Sequence, residues 1–329
     1  MTRSIHATRR LALAAGLACL AAPALVSAQA SAWPGKPVTI VVPFPPGGGT
    51  DAFARPLFAV MTKNVGRQFI IDNKGGAGGT LGAGIAAKAA PDGYTFIAPA
   101  ASHTTTPSLY SKLSFDPVKD FAAVTQIVTV PYLLVVPASS PMQTLADFIA
   151  AAKAKPGTLT FGSAGNGSSN HLAGELLAGS IGAPLVHVPY KGSGPALADV
   201  LGGQLSFMFD TINTSTGHVK AGRLRVLGVG TPKRSKIMPD VAPIADTIPG
   251  FEAVTWIGLL APAGTPKEIV ARMHREIEKI VQLPDVQERL SASGAEPVAS
   301  TPEQFGAYLG AEVAKWGRVV KQAKIPPVQ

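Results

Sequence analysis

From residue 36 onward, apolar positions fall into short runs rich in β-branched side chains, each followed by a longer stretch with helical spacing. The runs that predict strands are 38–44, 68–73, 94–100, 124–137, 158–163, 185–190, 206–210, 224–230 and 255–261. Helix-like segments at 51–63, 81–89, 145–154 and 169–180 lie between them. Such alternation packs as βαβ units, with buried parallel strands under covering helices. The expected class is α/β.

The last sixty residues follow a different rhythm. Over 267–282, Ile269, Val270, Met273, Ile277, Ile280 and Val281 share one helical face, and Phe305, Tyr308, Leu309, Val313, Trp316, Val319 and Val320 repeat the pattern. Core packing explains both stripes better than partner binding. Pro266 and Pro302 stand where a first helical turn accepts proline.

The N-terminus belongs to neither pattern. Arg3, Arg9 and Arg10 precede an uncharged apolar stretch over 11–22, Pro23 breaks it, and Val26-Ser27-Ala28 offers small residues before Gln29. That stretch falls short of the roughly 20 residues a bilayer span needs. Residues 1–28 are expected to be a cleaved signal peptide that takes the mature chain out of the cytoplasm. The one cysteine, Cys19, lies inside this segment, so the mature chain has no thiol for a disulfide, a nucleophile or a thiolate metal site. Roughly 300 residues then make their own core, most simply as two domains.

Charge adds little. Removing three arginines and no acid lowers the formal net charge from +9 to +9 − 3 = +6. Lysine and arginine are scattered and aromatics make up 6%, which does not suit a nucleic-acid partner.

Candidate chemistry gathers after the strands, where open α/β sheets place their ligands. Phe44-Pro45-Pro46-Gly47-Gly48-Gly49-Thr50-Asp51 follows the first strand, and Ser102-His103 follows the third. Ser163-Ala164-Gly165-Asn166-Gly167-Ser168-Ser169 leads to His171, Tyr190 closes another strand, and Asp210-Thr211 closes the next. The loops at 44–51 and 163–171 each join a strand to a helix through glycines. Glycine lets backbone N–H groups approach a ligand, and a helix start adds unpaired donors and a positive dipole end. Two such loops suggest two lobes gripping one anion. Asp51 is expected to bond loop or helix amides, with Thr50 the better ligand contact. For His171 a structural role outweighs a ligand contact; Asp210 has equal claims as a ligand contact and as a brace for a neighbouring loop.

Enzyme readings fare poorly. No Gly-x-Ser-x-Gly elbow surrounds Ser163, Ser168, Ser169 or Ser193. Gly76-Ala77-Gly78-Gly79-Thr80-Leu81 misses the dinucleotide fingerprint, no phosphate-loop lysine follows a glycine loop, and the histidines lack metal-ligand spacing. Ser168, His171 and Asp210 form a triad only on paper. No cofactor, metal or catalytic residue is expected.

An ordered series of motifs resembles one family. Trp33-Pro34 precedes 38–51; Asn73-Lys74-Gly75-Gly76-Ala77-Gly78-Gly79 precedes Pro91-Asp92-Gly93-Tyr94-Thr95. Then follow 162–171, His187-Val188-Pro189-Tyr190-Lys191-Gly192, Leu201-Gly202-Gly203-Gln204, Met208-Phe209-Asp210, Lys220-Ala221-Gly222-Arg223-Leu224-Arg225 and Ala261-Pro262-Ala263-Gly264-Thr265-Pro266. The series, spanning about 33–325, resembles solute-binding proteins of the tripartite tricarboxylate transporter family, the Bug (Bordetella uptake gene) type.

The resemblance implies a type II-like periplasmic binding protein with two α/β lobes, each a mostly parallel sheet flanked by helices. It implies that one carboxylate of a small mono-, di- or tricarboxylate is held by the two glycine loops, here Phe44, Pro46, Gly47, Gly48, Thr50 and Asp51 with Ser163, Gly165, Asn166, Gly167, Ser168 and Ser169. Ser102, His103, Tyr190, Asp210 and Thr211 would complete the site, several of them reading the distal end of the ligand. Thr106-Pro107 departs from the pattern, which often has Asn before the proline. Two crossing strands, expected at 128–137 and 254–261, would join lobe one (33–131 with 254–329) to lobe two (132–253). The implied partners of this monomer are the membrane subunits of a transporter or, in a sensing variant, a membrane kinase.

Overall fold

The computed structural model describes residues 33–47 and 49–327. The targeting segment, its Cys19 and Gly48 of the first glycine loop lie outside the described residues. Every element below belongs to the unit Lys36–Gln329.

Strands β1 (Val38–Val42), β2 (Phe69–Asn73) and β3 (Thr95–Ile97) make one end of a sheet. Strands β5 (Thr160–Ser163), β6 (Val186–Pro189) and β7 (Phe207–Thr211) make the other, and β4 (Phe121–Pro137) and β9 (Val254–Pro262) run between. The order is β2-β1-β3-β9-β4-β7-β5-β6, with β8 (Leu224–Val229) and β10 (Glu296–Pro297) paired to β4. Both ends are parallel: β1 pairs with β2 and β3, and β5 with β6 and β7. The middle is antiparallel, because β4 and β9 run against each other and against their outer neighbours.

Helices follow the strands in the expected alternation: α1 (Gly49–Val65), α2 (Thr80–Ala87), α3 (Ser102–Leu109), α4 (Leu145–Ala154), α5 (Ser169–Ile181), α6 (Ser193–Leu201) and α7 (Ile212–Lys220). Helices α8 (Lys267–Val281), α9 (Pro284–Ala292) and α10 (Pro302–Gln322) close the chain. All nine expected strands form. Helix α3 has no helical signature in its sequence, since three threonines and Pro107 are poor helix formers. Burial of His103 through Thr106 holds it, and the three threonine hydroxyls donate back to the carbonyls of Ala101, Ser102 and His103.

Strand β4 changes partners midway. Phe121 to Pro131 pair with β9, whereas Tyr132 to Pro137 pair with β7 and β8. Bulges between Ala123 and Thr125 and between Gln126 and Val128 bend it before the switch. Each sheet end has its own apolar core. Trp256, Phe115, Phe121 and Phe305 fill one, and Phe148, Phe161, Phe207 and Phe209 fill the other. Both C-terminal stripes face the core, with Ile269, Tyr308 and Val313 half-buried at their edges, and Trp316, Val319 and Val320 of α10 pack on Leu109 and Leu172, one from each end of the sheet.

Candidate functional site

A cavity of about 480 Å³ opens where the two sheet ends meet. Phe44, Thr50 and Phe53 line it from the first glycine loop and α1, and Ala100 and Ser102 from the turn after β3. Ser169, Thr211 and Asn213 face them from the starts of α5 and α7. Val130, Thr255 and Ile257 supply a floor from β4 and β9, and Ser293 enters after α9. Of the residues expected to bind ligand, the structure brings Phe44, Thr50, Ser102, Ser169 and Thr211 to this wall.

The others brace it. Asp51 is 2% exposed and its two carboxylate oxygens are fully engaged. One accepts from the Gly47 amide at 2.9 Å and Arg55 Nε at 2.8 Å; the other accepts from Asn73 Nδ2 at 2.9 Å. Asn73 also donates to the Phe44 carbonyl at 3.0 Å and accepts from Arg55 at 2.7 Å. The Arg55 bond, with help from Gly47 and Asn73, holds the Asp51 carboxyl down at about 2 against the pull of burial. Asp51 is therefore a permanently ionised staple across the loop, and Pro46 and Gly47 are exposed outside the cavity wall.

The second loop is held by Asn170, serine hydroxyls and two imidazoles, with the Glu175 carboxylate 3.5 Å from His171 Nε2. Asn170 Oδ1 accepts from the Ala164 amide at 3.2 Å, Ser168 Oγ at 2.7 Å and the His171 amide at 3.1 Å. Ser163 Oγ bonds the amide and carbonyl of Gly165 and meets His187 Nε2 at 2.5 Å. The Gly167 amide donates to His171 Nδ1 at 3.0 Å, which fixes that ring nitrogen as an acceptor. The two imidazoles stack at 3.7 Å. Burial first, and the neighbouring His171 second, push His187 down to about 4. Gly167 needs its lack of side chain, because its φ is +77° and a Cβ would come within 2.8 Å of Leu109. Asn166 is exposed, and none of Ser163, Gly165, Asn166, Gly167 or Ser168 lines the cavity wall.

Three expected contacts turn elsewhere. The His103 ring sits between Phe115 and Phe121 with Nε2 on the Pro117 carbonyl at 2.9 Å, and burial pushes it down to about 4. Tyr190 donates to Asp199 on α6. Asp210 accepts from Thr214 and Ser215, both at 2.6 Å, so it braces the start of α7. Sequence reasoning missed Phe53, Val130, Asn213, Thr255, Ile257 and Ser293. It also missed Tyr132, whose buried phenol hydrogen-bonds Ser169 and is pushed up to about 12 by burial.

Side-chain capping boxes occur on two helices away from the cavity. Helices α4 and α10 carry complete capping boxes, from Thr144 with Asp147 and from Thr301 with Gln304. The N-cap side chains of α5 and α7, Ser168 and Thr211, make no capping bond. Asn170 Oδ1 takes the His171 amide in the first turn of α5, and the amides ahead of it, like those at the start of α7, have no intrahelical backbone acceptor. Hydroxyls and helix starts converging on an apolar floor can hold an anionic group.

Covalent chemistry finds no support in this geometry. Ser168, His171 and Asp210 are each bonded to other groups. Ser163 does meet an imidazole, but it is 0% exposed, so no external acyl group reaches its hydroxyl. Among the described residues no cluster of three or more His, Cys, Asp or Glu offers a metal site, and no helix is long and apolar enough to cross a membrane.

The tripartite tricarboxylate transporter family receptor profile matches residues 53–325. Protein BugT of Bordetella pertussis is 34% identical over 321 residues, covering 97% of this chain and 98% of its own. An R. palustris protein solved with adipate is 37% identical, with a TM-score of 0.73 over 90% of this chain and all of that one. MatC from Rhodopseudomonas palustris, solved with malate, is 34% identical, with a TM-score of 0.69 over 88% of this chain and all of that one. The fold is the two-lobed α/β fold of periplasmic binding proteins. The chain belongs to the tripartite tricarboxylate transporter receptor family, Bug type.

Proposed function

We propose that this protein is a periplasmic receptor that captures a small carboxylate and delivers it to the membrane subunits of a tripartite tricarboxylate-type transporter. The observation that carries this reading is the 480 Å³ cavity with the first glycine loop and the start of α1 on one wall and the starts of α5 and α7 on the other. The carboxylates in the two related structures support it. The receptor family, and the engagement of every triad candidate elsewhere, support a binding role without catalysis.

The partner switch in β4 supports a division into lobes at 131/132 and 253/254, with β4 and the segment entering β9 as hinges. The ligand carboxylate bridges Thr50 and the start of α1 on one lobe to Ser169 and the start of α5 on the other. A ligand that contacts both lobes favours the closed state by its differential affinity, and closure forms the surface the transporter reads.

A thermal-shift screen against small carboxylates tests the reading. Ligand at about 100 times its Kd adds roughly 2.7 kcal/mol. Stabilisation by neutral sugars or amides, with none by any carboxylate, overturns it.

A further inference from the structure

Behind the carboxylate cleft lies a second, smaller space of about 70 Å³. It is enclosed by Ala54, Leu57 and Phe58 of α1, Val128 of β4 and Leu290 of α9, and shares Phe53, Ile257 and Ser293 with the cleft. The two spaces therefore adjoin through one wall. Its walls are apolar except for Ser293 and Arg289, and Arg289 lies at the exposed C-terminal turn of α9. Its volume is about half that of the roughly 150 Å³ apolar cavity that stays dry and accepts benzene, so about three carbon atoms fit.

The cleft has a matching property. Among the described residues, no lysine, arginine or histidine lines it, and its only polar side chains are hydroxyls and the Asn213 amide. A single carboxylate can be held by hydroxyls and helix-start amides. A second carboxylate pushed toward Phe53, Val130 and Ile257 would be desolvated with no cation to pair it, which is costly.

Resting on the carboxylate reading of the cleft, we infer that the preferred ligand is a monocarboxylate with a short apolar end, and that this end lodges in the annex between α1 and α9. Each methylene entering it contributes about a fourfold gain in affinity, from roughly 0.8 kcal/mol of apolar burial. The gain stops when the annex is full.

Calorimetry on the full mature protein with propanoate, butanoate, pentanoate, hexanoate and adipate tests this. Affinity is expected to climb by tens of fold from propanoate to hexanoate, with hexanoate at least tenfold tighter than adipate, its equal in chain length. Adipate equal to or tighter than hexanoate overturns the inference while leaving the carboxylate reading intact, and points to Arg289 as the partner of a distal carboxylate. Hexanamide matching hexanoate overturns the carboxylate reading itself. In Ala54→Leu, which fills the annex, the hexanoate-to-propanoate ratio is expected to fall about tenfold; an unchanged ratio in a folded variant also overturns the inference. The series on the natural protein decides the matter even if that variant fails to fold.

Discussion

The two glycine loops have nearly the same outline, yet opposite chemistry holds them. Each leaves a parallel strand, turns on a positive-φ glycine and enters a helix beside the cleft. In the first loop an ionised Asp51 is locked to Arg55 and Asn73. In the second, Asn170, Ser163, Ser168 and a stacked histidine pair share neutral hydrogen bonds. A charged staple next to an anion site repels the ligand unless its field is cancelled close by, and Arg55 does this at 2.8 Å. The second network has no such charged staple but depends on His187 staying unprotonated. One loop is therefore vulnerable to losing a charge, and the other to gaining one.

The largest expected contrast is in acid. His103 and His187 titrate near 4 in the folded chain against 6.5 when unfolded. Between those values the unfolded chain binds more protons, so stability is full above 6.5 and is lost as pH falls toward 4. The loss is on the order of 3 kcal/mol, much of it from the deeply buried His103. Amide exchange at Gly165, whose acceptor Ser163 Oγ is bonded to His187, is expected to quicken across that window once corrected for its intrinsic pH dependence. The Gly47 amide should hold until Asp51 begins to protonate, well below it. Equal loosening of both amides would erase the distinction between the loops.

Asp51→Ala comes next, at about 2–3 kcal/mol, because it strips acceptors from the Gly47 amide, Arg55 and Asn73 at once. Denaturant midpoints measure the loss, and carboxylate affinity should weaken with it. A cost under half a kcal/mol would mean the staple does not hold the loop.

Asn170→Ala is expected to cost about 2 kcal/mol, since three donors lose one shared acceptor. Unlike Asp51→Ala, its cost should be insensitive to salt, because no charge is removed.

The smallest contrast lies between the glycines themselves. Gly47→Ala has a φ of +79° and nothing within 4 Å of the new Cβ, so it bears only the conformational cost of about 1 kcal/mol. Gly167→Ala adds a 2.8 Å clash with Leu109 and should cost about 1 kcal/mol more. Equal costs would show that Leu109 yields freely.

Much of this architecture was legible in the residue order. The β-branched runs placed all nine long strands, and the 3.6-residue stripes placed α8 and α10. Both signals survive folding because burial demands them locally. The glycine loops were legible too, since strand, glycine, hydroxyl and helix adjoin in sequence. His103 and Tyr190 misled for one reason: a residue just past a strand is near the cleft, but the turn that follows decides where its side chain goes. For His103 that turn belongs to α3, which only tertiary burial makes helical. For Tyr190 the competitor is Asp199 on the next helix.

The sequence by itself determined the α/β class, the helix-start loops and the motif series that marks the family, because each depends on neighbours in the chain. Tertiary structure alone decided which side chains line the cavity. Phe53, Val130, Ile257 and Ser293 come from four separated elements and meet only when β4 and β9 pair and α9 packs against α1. No local pattern encodes a wall assembled from segments 240 residues apart. The absence of a cation there, and the apolar annex behind it, are properties of the packing.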